Sequence, residues 1–183
     1  MAALNPPAVE IGLQAKSFSL KGTDNKIHTL ESLQGKNGTV IMFMCNHCPF
    51  VKAVAKKLPE AVSKLHSVGV NFIGINSNNA AEYSDDSFDN MLVFAKENNF
   101  NFPYLVDDMQ EVAKSYGAVC TPDIFGFNKN LQLQYRGRFD DSGMQIKPDS
   151  RNELVDAMLE IAANGSFTGN QTASIGCSIK WKV

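Results

Sequence analysis

The stretch Thr39-Val-Ile-Met-Phe-Met-Cys-Asn-His-Cys-Pro-Phe-Val-Lys52 decides the fold. Residues 40–44 are apolar without alternation, the pattern of a strand covered on both faces of a sheet. A Cys-x-x-Cys pair follows at once, and from Phe50 the period changes. Phe50, Val51, Val54, Leu58, Ala61, Val62 and Leu65 recur at helical spacing, with Lys52, Lys56, Lys57 and Lys64 between them as a wet face. Pro59 is expected to bend or split that helix, because its ring collides with the carbonyl four residues back. A bare Cys-x-x-Cys is also half of a zinc site. Strand, dithiol and helix in direct succession point more specifically to redox chemistry.

Outward from this core, Ser17–Lys21 and Lys26–Thr29 flank the turn Gly22-Thr-Asp-Asn25 and read as an N-terminal hairpin. Val70–Ile75 is a second buried strand, and residues 76–87 are polar and loop-like. Phe88–Asn98 reads as a helix, Tyr104–Val106 as a short strand, and Met109–Tyr116 as a helix closed by Gly117. Ile124–Phe127 and Leu131–Tyr135 form a second hairpin around Asn128-Lys-Asn130. Ser150 with Glu153 offers a capping box for a last helix ending near Gly165. The order predicts an α/β fold, a central mixed β-sheet flanked by helices. We divide the chain into an extension over residues 1–12, one domain over 13–165, and a tail over 166–183 that docks on that domain.

At 183 residues, 44% apolar and 20% charged, the chain suits one soluble domain. Its net charge of −2 gives no basic surface for nucleic acid or an anionic membrane. No run reaches the roughly 20 apolar residues of a membrane span. Residues 1–10 lack the basic-then-apolar pattern of a secretory leader, so a cytoplasmic location is expected, where thiols stay reduced. The four cysteines then read as catalytic, metal-binding or buried, not as a stapling framework.

Free amides and the dipole at a helix start favour a thiolate, expected at Cys45, and thiolates are the nucleophiles of disulfide chemistry. His47, beside the pair, would lower the Cys45 pKa further. Pro49 is tolerated because the first turn needs no N–H there. No second ligand pair stands at zinc spacing, so no metal is expected; a copper- or zinc-holding protein is a third reading.

Ala15–Gly22, Asn25–Leu30 and Leu33-Gln-Gly35, then Thr39–Met44, Cys45–Cys48 and Thr121-Pro122, resemble the thioredoxin superfamily in its AhpC/TSA and TlpA-like redoxin branch. The similarity runs over residues 13–162. Cys45-Asn-His-Cys-Pro-Phe-Val-Lys52, Gly117-Ala-Val-Cys-Thr-Pro-Asp-Ile124 and the tail motif Gly-Cys-Ser-Ile-Lys-Trp181 are similar to an uncharacterised subgroup of it. The resemblance implies a thioredoxin fold and a cis Thr121–Pro122 peptide facing the dithiol, with the Thr121 backbone as a docking edge for substrate. Met44 stands where thioredoxins carry Trp and is assigned to the same docking surface. The histidine position is that of strongly oxidising dithiol proteins, so a more oxidising couple than thioredoxin's is expected. For the buried acid that assists the second cysteine, Glu82 is the nearest candidate, although a solvated loop glutamate is the plainer reading.

Peroxiredoxins of the same superfamily use Pro-x-x-x-Thr-x-x-Cys. Here the corresponding positions before Cys45 are Gly38 and Met42, and Cys48 and Cys120 fit no better. Thiol peroxidase activity through Cys45 is therefore the alternative, with Arg136 or Arg138 as a cation if neither is simply solvated. Cys120 reads as core, with redox activity as its other reading, and Cys177 as either a resolving thiol or packing. His28, His66 and the Asp140-Asp141 pair read as solvated. The expected mechanism is exchange: Cys45 attacks a protein or small-molecule disulfide and Cys48 resolves the mixed disulfide. It needs no cofactor beyond an electron donor.

Overall fold

The computed structural model describes residues 3–8 and 10–183, so residues 1, 2 and 9 of the expected extension lie outside it. Strand β1 (Ala3–Leu4) is followed by the hairpin β2 (Ser19–Gly22) and β3 (Ile27–Thr29), helix α1 (Leu30–Leu33) and β4 (Gly38–Phe43). Helices α2 (Pro49–Ala55) and α3 (Leu58–Ser67) lead to β5 (Val70–Asn76), α4 (Phe88–Glu97) and β6 (Tyr104–Val106). Then come α5 (Glu111–Tyr116), β7 (Cys120–Thr121), β8 (Asp123–Asn128) and β9 (Leu133–Arg136). Helix α6 (Glu153–Asn164) and β10 (Gly176–Ser178) complete the chain.

Seven strands make one mixed sheet in the order β3-β2-β6-β5-β4-β8-β9, with β4, β5 and β6 parallel and β8 antiparallel to β4. β4 is central because its side chains alternate between two apolar clusters. Val40 and Met42 meet Val51, Leu58, Leu65 and Met158 of α2, α3 and α6. Ile41 and Phe43 meet Leu30, Ala113 and Tyr116 of α1 and α5. A strand covered on both faces has no position left for a polar residue, which is why the run reads unbroken. This is the thioredoxin arrangement expected. Pro59 does split the helical stretch: α2 stops at Ala55, and α3 restarts at Leu58 with the proline in its first turn. Among the described residues no helix is long and apolar enough to cross a membrane.

Several polar residues read as solvated are paired within the fold instead. Lys57 is not on a wet face: its ammonium pairs with Asp140 and donates to Ser142 Oγ at 2.7 Å and Ser150 Oγ at 3.1 Å. Asp140 is buried and needs that cation, since an unpaired carboxylate in the interior is costly. Ser150 accordingly caps nothing; Asn152 Oδ1 accepts the Val155 N–H at 3.0 Å, and Glu153 pairs with Arg138. Arg136 is buried and grips Asp123 with two hydrogen bonds of 3.1 and 2.7 Å. The polar stretch after β5 folds inward, burying Asn76, Ser77, Asn78, Asn79 and Asp86. The tail, without periodicity of its own, forms β10 between β1 and β7 in a second, three-stranded sheet.

Candidate active site

β4 delivers Cys45 two residues past its last paired residue, and the Met44 N–H donates to Ile75 O at 2.9 Å to hold that exit straight. Asn46 and His47 form the turn. Cys48 is extended (φ −66°, ψ 124°) and occupies the N-cap of α2. The dithiol therefore stands in the loop before the helix, not across its first turn. The free amides of the helix start therefore lie nearest Cys48, although its side chain makes no capping hydrogen bond to them.

The tail comes down on this sulfur. β10 runs antiparallel to β7, with Cys177 opposite Thr121 and Ser178 opposite Cys120, and the Ile179 N–H donates to Val119 O at 2.9 Å. Cys177 Sγ lies 2.9 Å from Cys48 Sγ. Beyond the strand, the Asn79 N–H and Gln110 Nε2 both donate to Lys180 O at 2.8 Å, and Asn78 Oδ1 accepts the Lys180 N–H at 2.9 Å. Gly176 is required here, because a Cβ would meet the Thr121 carbonyl oxygen at 2.1 Å and its carbon at 2.5 Å. With the tail in place Cys45 and Cys48 are both 0% exposed. A cleft of about 400 Å³ opens beside Asn46 and His47, but neither cysteine lines it.

The sulfur whose pKa is depressed is Cys48, where the sequence led us to expect Cys45. The Cys48 pKa is lowered to about 5 by the neighbouring thiols, Cys45 first and Cys177 next, against the cost of burial. In its thiol form Cys48 donates to the Thr121 carbonyl oxygen at 3.1 Å. Cys45 is pushed well above the ordinary thiol value by its bond to Cys48, by burial and by the charge of Asp86. Its sulfur lies 3.2 Å from Thr121 Oγ1. Burial and the anionic Cys48 raise Cys177 to about 12.

The acid buried beside the dithiol loop is Asp86, whereas Glu82 is exposed. Asp86 accepts from the Asn46 N–H at 2.7 Å and Asn78 Nδ2 at 2.7 Å, and meets His47 Nδ1 at 2.6 Å. Burial alone would raise its pKa, but these hydrogen bonds, from His47 above all, hold it below the ordinary value. In return the Asp86 bond raises His47 above its usual pKa against the cost of burial. His47 is thus anchored on Asp86, with Tyr83 stacked 6.0 Å from its ring. Cys45, His47 and Asp86 each offer one ligand atom within 4.8 Å of the others and could hold a metal ion. His47 Nδ1 and Asp86 Oδ2 already bond to each other there.

Of the other residues singled out, Thr121 and Pro122 do face the dithiol, and their peptide bond is cis. The Thr121 edge is already taken by the chain's own Cys177. Met44 is 0% exposed and belongs to the core, so it docks nothing; it is the residue against which Gly74 packs. Cys120 is buried, and burial first and Asp123 second push its thiol up to about 12. Sequence reasoning missed Asp86, Asn78, Gln110 and Gly176. The Asp85-Asp86 pair, beside a polar run too long for an ordinary turn, was the available signal.

A family model described as the AhpC/TSA family matches residues 11–136. The chain belongs to the AhpC/TSA family. Two solved structures are similar to this AhpC/TSA chain over nearly its whole length. An uncharacterized conserved protein from Geobacillus kaustophilus is 42% identical, covering 100% of this chain and 97% of that one, with a TM-score of 0.93. A hypothetical protein from Sinorhizobium meliloti is 31% identical, covering 97% and 98%, with a TM-score of 0.90. Thiol-disulfide oxidoreductase ResA of Bacillus thuringiensis is 28% identical over 125 residues, 67% of this chain and 66% of ResA. The chain thus spans just under two thirds of that relative's length. The matched AhpC/TSA region ends at Arg136, so Cys177 and the strand that carries it lie beyond it.

Proposed function

We propose that this protein is a thiol–disulfide oxidoreductase working through Cys45 and Cys48, with the Cys48 thiolate as the attacking sulfur. The observation that carries this is the dithiol at the start of α2 facing the cis Thr121–Pro122 peptide, with Cys48 Sγ 3.1 Å from Thr121 O; the lowered pKa of Cys48 supports it as the attacking sulfur. Once β10 lifts, Cys48 attacks one sulfur of a substrate disulfide. The Cys48–substrate bond forms, the substrate S–S bond breaks, and the departing thiolate takes up a proton. Cys45 gives its proton to the Asp86–His47 pair and attacks Cys48 Sγ. The Cys45–Cys48 disulfide closes and the second substrate thiol is released. Substrates are disulfides of proteins or small molecules, and a separate thiol donor re-reduces the pair.

Peroxide reduction finds less support, because the cations it would need are engaged elsewhere: Arg136 on Asp123 and Arg138 on Glu153. Reduced protein mixed with an excess of a peptide disulfide should yield one equivalent of reduced peptide and a Cys45–Cys48 disulfide by peptide mapping. Unreacted peptide beside rapid consumption of hydrogen peroxide would overturn the proposal in favour of a peroxidase.

A further inference from the structure

The tail occupies the place where a substrate chain would have to lie. Cys177 is the residue of β10 opposite Thr121, and its sulfur lies 2.9 Å from Cys48 Sγ. Ala3 and Leu4 pair with the far edge of the same strand, and Asn79 and Gln110 hold Lys180 just beyond it. Cys48 is thereby flanked by two thiols: Cys45 from its own loop, and Cys177 from a strand seated as an added β-strand seats a bound peptide.

We infer that Cys177 is a third redox cysteine, an internal substrate that exchanges with the Cys45–Cys48 disulfide to form Cys48–Cys177 and shut the site against external disulfides. The inference rests on the exchange chemistry proposed above, which supplies the oxidised pair. Cys177 loses its proton, and a lone pair of its sulfur forms the bond to Cys48 Sγ. The Cys45–Cys48 bond breaks with its electron pair leaving on Cys45, which takes up the proton. One thiol and one disulfide become one disulfide and one thiol, with the proton passing from Cys177 to Cys45, so no external oxidant or reductant is consumed. Three features favour the step. The two sulfurs are already in contact, the tail is held at both ends, and oxidation of Cys48 removes the anion that holds Cys177 protonated.

The test is disulfide mapping of the full chain after mild oxidation with glutathione disulfide and quenching with N-ethylmaleimide. In Cys45→Ser the oxidant first caps Cys48 with glutathione, and Cys177 should then displace it. The Cys48–Cys177 linked peptide should exceed glutathionylated Cys48 by roughly tenfold or more, as expected for an intramolecular thiol at high effective concentration. Persistent glutathione on Cys48 with Cys177 free would overturn the inference. In otherwise unaltered protein the linked peptide should appear beside Cys45–Cys48 and vanish in Cys177→Ser. Its absence from the unaltered chain would overturn the inference equally, and does not depend on whether Cys45→Ser folds. Normal turnover of a peptide disulfide alongside such an absence would leave the proposed function standing and remove only the role of Cys177.

Discussion

Gly176→Ala should open the site without touching a sulfur. The new Cβ would stand 2.1 Å from Thr121 O, 2.5 Å from Thr121 C and 3.0 Å from Pro122 N, whereas ordinary contact begins at 3.4 Å. All three atoms are backbone and cannot rotate aside, so β10 must retreat by more than an ångström. That distance breaks its short ladder to β7. Two hydrogen bonds at about 1 kcal/mol each come to ~2 kcal/mol. This corresponds to about 30-fold in the ratio of lifted to docked tail. Wild-type and variant protein, fully reduced, would be compared for the rate at which a maleimide labels Cys48, which is sealed while the tail is down. Labelling should accelerate on the order of 30-fold when opening is fast relative to labelling, with the far-ultraviolet spectrum unchanged. An unaltered rate in a folded variant would mean that Cys48 is reached by some route other than tail release.

Five further outcomes follow from the electrostatics of the buried groups. Thiolate absorbance of the reduced protein should titrate near pH 5. Cys48→Ser should abolish that step, and Cys45→Ser should move it upward, because the neighbouring Cys45 thiol contributes most to the lowering. A thiol held at about 5 in the folded state against 9.0 ordinarily stabilises the fold fully above pH 9 and loses that contribution as pH falls through 5. Denaturant midpoints of wild type and Cys48→Ser should therefore converge on acidification through that window. Asp86→Asn should bring the His47 pKa down toward 6.5, read by NMR titration, and an unmoved histidine would show that Asp86 does not hold it. Arg136→Met leaves the buried Asp123 carboxylate without its partner and should cost about 3 kcal/mol in urea unfolding; an unchanged midpoint would contradict the pairing. The reduction potential of Cys45–Cys48, measured against glutathione, should lie above about −270 mV, since stabilising the thiolate favours the reduced pair.

Much of the scaffold was legible because local chemistry dictated it. β4 had to be apolar throughout once both its faces were covered, and Pro59 had to interrupt the helix that followed. Gly117 closes α5 at φ 65°, where a glycine pays no Cβ penalty. The site was legible only in part. Which sulfur stands at the helix start turns on where the first helical residue falls, and a shift of a few residues exchanges the two. Asp86 was hidden because an Asn- and Asp-rich stretch has the same composition whether it faces water or folds back on a buried imidazole. Lys57 and Arg136 sit at positions that periodicity assigns to solvent, and only the distant Asp140 and Asp123 draw them inward. The tail strand owes its hydrogen bonds to β7 and β1, so nothing in residues 166–183 alone could have revealed it.

The most direct measurement is steady-state reduction of a disulfide-linked peptide, with dithiothreitol as donor, by wild type, Cys45→Ser and Cys48→Ser. Turnover by the wild type and its complete loss in Cys48→Ser are expected, because the attacking thiolate is gone. Wild-type turnover persisting in Cys48→Ser, or no turnover by the wild type at all, would contradict thiol–disulfide exchange through Cys48.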